Sequence, residues 1–242
     1  MQPTRLGIKR ENRTRPSRSM GLAEYRQYCP IARASEILAE RWNPLIVRNM
    51  MFGAETFSEI ARGVPAMSRS MLIKRLGELE RANILEKTPK GTGRGHVYRL
   101  TESGRDLAAV IRTLGEWGDR WLEVTTEHSD PGFALWAWCQ AQMDHRALPE
   151  RRTVVEFSFP DQPPTNRHYW LLIEGGEAEL CYSDPGDEPD LYVTADSLAF
   201  VHWHRGALPW ARALRSGAIS VAGDRTLARA LPSWNRHTPA LT

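Results

Sequence analysis

A serine cap followed by a leucine repeat limits the possible folds of this chain more than any other pattern in it. Ser68 is a preferred helix N-cap residue, and the apolar residues behind it recur at helical spacing: Leu72, Leu76 and Leu79. A helix with this pattern must bury one side against a core. Immediately upstream, Thr56 and Glu59 form a T-x-x-E capping box that opens a short helix closed by Gly63. Two helices joined by one tight turn predict a helix-turn-helix.

A hairpin and a long helix are predicted next along the chain. Extended runs at residues 84–88 and 96–100 flank Pro89 and three glycines, which indicates a β-hairpin with a long tip. Thr101 then opens a long helix whose apolar residues repeat with a period of about 3.5 residues: Leu107, Val110, Leu114, Trp117, Trp121 and Val124. That period is typical of two helices packed along their length.

The order helix, turn, helix, hairpin, helix is that of a winged helix-turn-helix, whose second helix fits the major groove. The residues predicted to contact double-stranded DNA lie on the side of this helix opposite the leucines: Ser68, Arg69, Ser70, Ile73 and Lys74, with Arg75 at the edge. At the hairpin tip, Lys90 and Arg94 are expected to reach the neighbouring minor groove, where the negative potential attracts arginine. Two alternatives for the tip stay open, a nucleotide-binding loop and a solvated hairpin. The first is weak because the glycines match neither phosphate-loop pattern.

The uneven distribution of charge agrees with such an interface. The net charge is +3, but residues 56–105 hold ten Lys or Arg against five Glu, and residues 150–242 hold nine basic against twelve acidic residues. Local basicity favours a polyanionic partner, although a charge run is more often a solvated face. Residues 1–20 hold six basic residues and one Glu among Pro and Ser. This composition is typical of a disordered basic tail, either an arm for nucleic acid or a leader without a role.

Three segments resemble the HxlR-type regulators, winged-helix transcription factors akin to the MarR group: CPIARASEILAERWNPLIVRNMMFGAETFSEIARGV, SRSMLIKRLGELERANILEKT and VYRLTESGRDL. The resemblance spans about residues 25–122 and includes the Cys-Pro opening, the Arg-Trp pair and the Tyr-x-Leu-Thr-x-x-Gly exit. It implies a homodimer on a pseudo-palindromic operator, joined largely through terminal helices. The implied dimer interface is the helical seam: Leu107, Val110, Leu114, Trp117 and Trp121. Asn83 departs from the family's usual Gly, but Asn also tolerates a left-handed cap.

Cys29 stands where this family carries its single N-terminal cysteine. In some members, as the resemblance implies, that thiol senses electrophiles or oxidants. A position just before a helix N-terminus favours the reactive thiolate. Cys29 is therefore a redox candidate, beside the alternative of a small and inert residue.

The second half of the chain changes to strand-like runs from Thr153 onward. Its segment LRSGAISVAGDRTLARAL resembles the sterol-carrier-protein fold, which implies an apolar cavity between a sheet and helices. Four tryptophans either line such a cavity or form the core: Trp170, Trp203, Trp210 and Trp234. The expected organisation is α+β, with a basic disordered tail at residues 1–20, a winged helix-turn-helix domain at 21–126 and a smaller α/β sterol-carrier-like domain at 127–242.

Composition and the absence of several motifs narrow the range of functions expected for this chain. Three cysteines far apart argue against a disulfide framework, and no run of about 18 apolar residues is present, so we expect a cytoplasmic protein without membrane contact. No G-x-S-x-G, H-E-x-x-H or Cys-x-x-Cys motif occurs, so we expect no enzyme, metal or cofactor. The sequence predicts a dimeric, DNA-binding transcriptional regulator whose C-terminal domain responds to an apolar effector. The alternative is an apolar-ligand carrier in which the winged helix is an interaction module.

Overall fold

The computed structural model describes residues 25–91 and 93–236. The tail predicted at residues 1–20 lies outside the described residues. The chain divides into one unit that ends at Glu40 and a second that begins at Arg41. In the first unit, helix α1 (Pro30–Leu38) begins with Pro30, whose missing N–H is not needed in a first helical turn.

The second unit opens with the elements predicted for a winged helix-turn-helix: α2 (Asn43–Met51), α3 (Phe57–Arg62), α4 (Arg69–Arg81), β1 (Leu85–Pro89), β2 (His96–Leu100) and α5 (Glu102–Trp121). The predicted start signals are confirmed. Thr56 and Glu59 exchange both hydrogen bonds of a capping box, and the Ser68 hydroxyl accepts a bond from the Met71 N–H at 3.3 Å. Asn83 adopts the predicted left-handed conformation, with a φ of 58°.

The leucine repeat of α4 holds this helix to the body of the protein. The three leucines are almost fully buried, together with apolar side chains of α2 and α3: Leu72, Leu76, Leu79, Ile46, Val47 and Ile60. Truncating one such leucine to alanine typically costs about 2–5 kcal/mol. Because the leucine side of α4 packs against the core, the opposite side of the helix is exposed to solvent.

The rest of the second unit is built on a mixed sheet with helices. Helix α6 (Pro131–Ala137) continues as a π-helical turn (Trp138–Gln142). Five strands and three helices follow in the described residues: β3 (Thr153–Ser158), β4 (His168–Glu174), β5 (Glu177–Cys181), β6 (Leu191–Ala195), α7 (Ser197–His204), α8 (Trp210–Arg215), β7 (Ile219–Gly223) and α9 (Arg225–Ala230). The strand order is β5-β4-β3-β6-β7, with β3 and β6 parallel and the other neighbours antiparallel. The α+β class is confirmed.

Aromatic side chains fill the interior between this sheet and its helices. The largest fully buried ones are Trp138, Phe157, Phe159, Phe200, Trp203 and Trp234. They pack largely edge to face, as aromatic quadrupoles prefer. Trp203 and Trp234 are therefore core residues, one of the two roles that the sequence allowed them. Across the described ranges, no helix combines the length and apolar character needed to cross a bilayer.

Candidate DNA interface and junction cavity

The solvent side of α4 presents most of the residues predicted to contact DNA. The exposed members are Ser68, Arg69, Ser70, Ile73 and Lys74. Ile73 is 63% exposed although it is apolar. The Arg69 guanidinium lies 5.1 Å from the centre of the Phe57 ring, which holds the charge near the N-terminus of the helix. This side of α4 therefore offers two cations, two hydroxyls and one apolar contact from a single helix face.

The hairpin tip carries the other predicted cations. Lys90 and Arg94 are exposed, and the Lys90 N–H donates to the Gly95 carbonyl at 3.1 Å to close the tip. Gly93 and Gly95 have φ values of 84° and 125°, which residues with a side chain rarely adopt. The glycines thus allow the sharp turn that places Arg94 at the end of the hairpin.

Arg75 does not belong to this exposed side, and its predicted placement at the edge is wrong. Its side chain is only 10% exposed and its Nη1 donates to the Glu78 carboxylate at 2.7 Å, while Glu78 is 7% exposed. Lys74 lies 3.9 Å from the same carboxylate. Helical spacing places Arg75 beside Lys74, but the long side chain folds back toward the core to neutralise Glu78.

Replacement of Arg75 by methionine is expected to destabilise the fold by about 3 kcal/mol, because it leaves Glu78 buried with a weaker partner. It should leave the salt dependence of DNA binding unchanged. Lys74→Met is the matched variant: it should cost less than about 1 kcal/mol, since Lys74 is exposed, yet flatten the salt dependence. Urea denaturation and salt titration of binding separate the two roles. A flattened salt dependence in Arg75→Met would show that Arg75 contacts DNA after all.

The predicted seam on α5 is largely exposed in the single chain. Leu107 is partly buried, whereas Val110, Leu114, Trp117 and Trp121 are exposed, the two tryptophans by 54% and 67%. Large apolar side chains in one row on a surface indicate an interaction face. The assignment of this face to a dimer remains a prediction.

Cys29 is the N-cap residue of α1 and is partly buried. Its carbonyl accepts a hydrogen bond from the Arg33 N–H at 3.0 Å, and no side-chain cap bond is formed. This is the position that the resemblance implies for a sensing thiol. The redox role of Cys29 remains a prediction.

Side chains of α2, α3 and α5 contact the second half of the chain. The Arg48 guanidinium lies 4.4 Å from the centre of the Phe133 ring, and Arg62 lies 5.8 Å from that of Tyr182. The rings of Phe52 and Trp136 are 5.9 Å apart, and Arg205 forms an ion pair with Asp119. These contacts join the helix-turn-helix directly to the residues after 127.

A cavity of about 630 Å³ lies at this junction, lined by residues of α2, α5, α6 and α7 and open to solvent on one side. We call it the junction cavity. Its walls are mainly apolar and include Leu45 and Phe52 from the winged-helix half and Phe133, Ala134 and Val201 from the second half. Charged side chains also line it: Arg48, Glu116, Asp119, Arg120, Asp130 and Arg205. This volume is typical of small-molecule sites, which are concave, mostly apolar and carry a few polar groups.

Arg48 is the cation on the α2 wall of the cavity. Its guanidinium donates to the Asn49 side-chain oxygen at 2.8 Å and to the Gly63 carbonyl at 2.7 Å. Among the described residues, no carboxylate lies within ion-pair distance of it. Burial lowers the pKa of Arg48 to about 10, so the group remains charged at neutral pH.

Sequence reasoning missed Arg48 and the cavity. One local signal exists, because Arg48 is the only charged residue in the otherwise uncharged run 43–52. Its approach to Phe133, far along the chain, follows from packing that no local pattern reveals. Within residues 25–91 and 93–236, no cluster of side chains suited to a metal ion is found.

A helix-turn-helix with an outward cationic face and a two-stranded wing defines the winged-helix class of proteins. A profile of the HxlR-like helix-turn-helix family matches residues 37–126. The uncharacterized HTH-type transcriptional regulator Rv3095 of Mycobacterium tuberculosis is 37% identical over 116 residues, which cover 42% of this chain and 72% of that protein. The HTH-type transcriptional regulator YodB of Bacillus subtilis is 38% identical over 101 residues, 39% of this chain and 87% of that one. The chain therefore belongs to the HxlR-like helix-turn-helix family.

Solved structures also resemble the N-terminal part. The reduced form of YodB from B. subtilis is 35% identical, with a TM-score of 0.36, and covers 40% of this chain and 97% of that one. The redox regulator HypR in its oxidized form is 28% identical, with a TM-score of 0.38, and covers 40% of this chain and all of that one. The relatives named here are regulators of transcription, not enzymes. The family match ends at residue 126.

Proposed function

We propose that this protein is a DNA-binding transcriptional regulator that binds a pseudo-palindromic operator as a homodimer. The observation that carries the proposal is the exposed face of α4, where Arg69 and Lys74 point away from the leucine-lined side. Such a helix fits the major groove, and its N-terminus offers free N–H groups to a phosphate. Arg94, on a tip that glycines allow to turn sharply, serves as the minor-groove contact.

The exposed seam of α5 supports the proposed dimer. Two winged helices paired through this face would present two recognition helices, and a two-fold axis in the protein matches a two-fold axis in the operator. A seam with Trp117 and Trp121 at one end supplies the large aromatic anchors that protein interfaces favour.

The proposal is tested by salt titration of binding to an operator fragment. The fragment is obtained by sequencing the DNA that the purified full chain retains, and affinity is measured by fluorescence anisotropy. A dimer that neutralises about eight phosphates should show a slope of log K against log salt near −7. Arg94→Ala should weaken binding and flatten the slope by about 0.9 for each lost contact, hence by roughly 2 in a dimer.

The matched control is Arg229→Ala, which removes one exposed cation from α9, far along the chain from the wing. It should leave the slope unchanged, because Arg229 lies outside the proposed interface. A slope near zero for the unaltered protein, or equal slopes for the two variants, would contradict the proposed interface.

We further propose that residues 127–242 form the effector-responsive domain of this regulator, with the sterol-carrier-like fold as its working hypothesis. The contacts of Phe133, Tyr182 and Arg205 with the winged helix support a response that reaches DNA binding. The carrier alternative predicts tight uptake of an apolar ligand by a protein that retains no DNA. Measuring both properties on the full chain distinguishes the two functions.

A further inference from the structure

We infer that the junction cavity binds a small molecule with an apolar body and one carboxylate, and that Arg48 anchors the carboxylate. The inference deepens the proposed function, on which it rests for its role as an effector site. It places the effector at the junction between the winged helix and the following half, instead of inside the sheet-and-helix core.

The core of the second half offers little room for the apolar effector. Its interior is packed with fully buried aromatic rings, and Trp138 is further tied by a hydrogen bond from its indole N–H to the Trp234 carbonyl at 3.2 Å. Close-packed interiors of this kind rarely admit a ligand without rearrangement. The junction cavity, by contrast, is already formed and has a volume of about 630 Å³.

The cavity lining carries charges of both signs: Glu116, Asp119 and Asp130 beside Arg48, Arg120 and Arg205. Arg48 is the cation that we assign to the ligand. The charge of Arg205 is neutralised by Asp119. Within the described residues Arg48 forms no ion pair, and the acceptors of its hydrogen bonds are neutral groups, the Asn49 side chain and the Gly63 carbonyl. A ligand carboxylate would give it a charged partner, since guanidinium binds carboxylate through charge-assisted and often bidentate bonds.

Phe133 and its neighbours fit the apolar body of such a ligand. The Phe133 ring packs on the Arg48 guanidinium and lines the cavity, followed along α6 by Ala134. The binding free energy of an apolar chain becomes more favourable with each buried CH₂ group, so a chain of several carbons would add selectivity over small anions such as acetate.

Arg48 also connects the cavity to the DNA-reading helix. The guanidinium that faces the cavity donates to the carbonyl of Gly63, and Gly63 ends α3 at the turn that leads into α4. An occupant that attracts this guanidinium therefore acts on the turn of the helix-turn-helix through one side chain.

The test is isothermal titration of the full chain with three ten-carbon probes that share a chain and differ in the headgroup: decanoate, decanol and decyltrimethylammonium. We expect one decanoate per chain, bound at least tenfold more tightly than either of the others. Leu45→Trp, which fills the cavity from a side chain already 37% exposed, should weaken decanoate binding at least tenfold. Leu214→Trp is the matched control, because Leu214 is 41% exposed and lies outside the cavity wall; it should bind as the unaltered protein does.

Arg48→Gln should abolish the preference for decanoate over decanol, with folding checked by urea denaturation. If that variant fails to fold, Leu45→Trp still decides the location of the site. No decanoate binding, equal affinity for decanoate and decanol, or unaltered binding by Leu45→Trp would each overturn the inference. DNA retention is measured separately, so loss of the ligand site leaves the DNA-binding proposal standing, and absence of DNA binding leaves the ligand result readable.

Discussion

Replacing both Trp117 and Trp121 by glutamate is expected to convert the proposed dimer into a monomer and to weaken operator binding by about 10²–10⁴-fold. The two rings are more than half exposed in the single chain, and the proposed interface would bury them. Four carboxylates near a two-fold axis would repel each other and lose their hydration. A monomer then binds one half-site without the effective concentration that links the two halves of a dimer.

Sedimentation velocity measures the change in mass, and anisotropy on the operator measures the change in affinity. Tyr192→Glu is the matched control: Tyr192 is 40% exposed on β6, so the same chemistry is applied to an aromatic residue outside the seam. It should remain dimeric and bind the operator normally. A double variant that stays dimeric, or an unaltered protein that is monomeric at micromolar concentration, would rule out the α5 interface.

Gly104→Ala is expected to destabilise the fold by at least about 2–3 kcal/mol, a large share of the roughly 5–15 kcal/mol that stabilises a typical domain. A Cβ at this position would overlap the backbone carbonyl oxygen of Ile84 and touch the Leu100 side chain. That carbonyl cannot simply move away, because it accepts the Thr101 N–H at 3.0 Å and the Thr101 hydroxyl at 3.1 Å. The added methyl group is therefore expected to disrupt the hydrogen bonds between Ile84 and Thr101, which connect the start of the hairpin to the start of α5.

Urea denaturation of Gly104→Ala and of Gly77→Ala gives the comparison. At Gly77, in α4, the nearest atom to an added Cβ is the flexible Arg81 guanidinium at 3.6 Å, so no overlap arises. Alanine there should stabilise the helix by up to about 1 kcal/mol through its better helix propensity. Equal midpoints for the two variants would show that the close approach at Gly104 is not needed for folding.

The β1–β2 hairpin and α4 illustrate how much of this protein is predictable from local sequence. The capping box at Thr56, the cap at Ser68 and the left-handed Asn83 are set by residues within one helical turn, so their rules apply without knowledge of the rest. The glycine of the Tyr-x-Leu-Thr-x-x-Gly motif, Gly104, is also visible in the sequence. Its reason is not, because the atom that excludes a side chain belongs to Ile84.

The surroundings of Arg75 and Arg48 could not be predicted from neighbouring residues alone. Helical spacing predicts Arg75 at the edge of the proposed DNA-binding face. A long arginine side chain can either extend into water or fold back onto a buried partner, and here it folds back to pair with Glu78. No motif marked Arg48 as a cavity residue. Its surroundings come from α6, whose Phe133 reaches it only after both halves of the chain have packed.

Local sequence was sufficient to predict the order of the elements of the winged helix, the ends of their helices and the outward cations of α4, because hydrogen bonds and periodicity between near neighbours set these features. The burial of Arg75, the position of the junction cavity and the presence of Arg48 in its wall became visible only in the folded chain. Burial and cavity shape depend on contacts between residues far apart in the sequence, and no local pattern encodes those contacts.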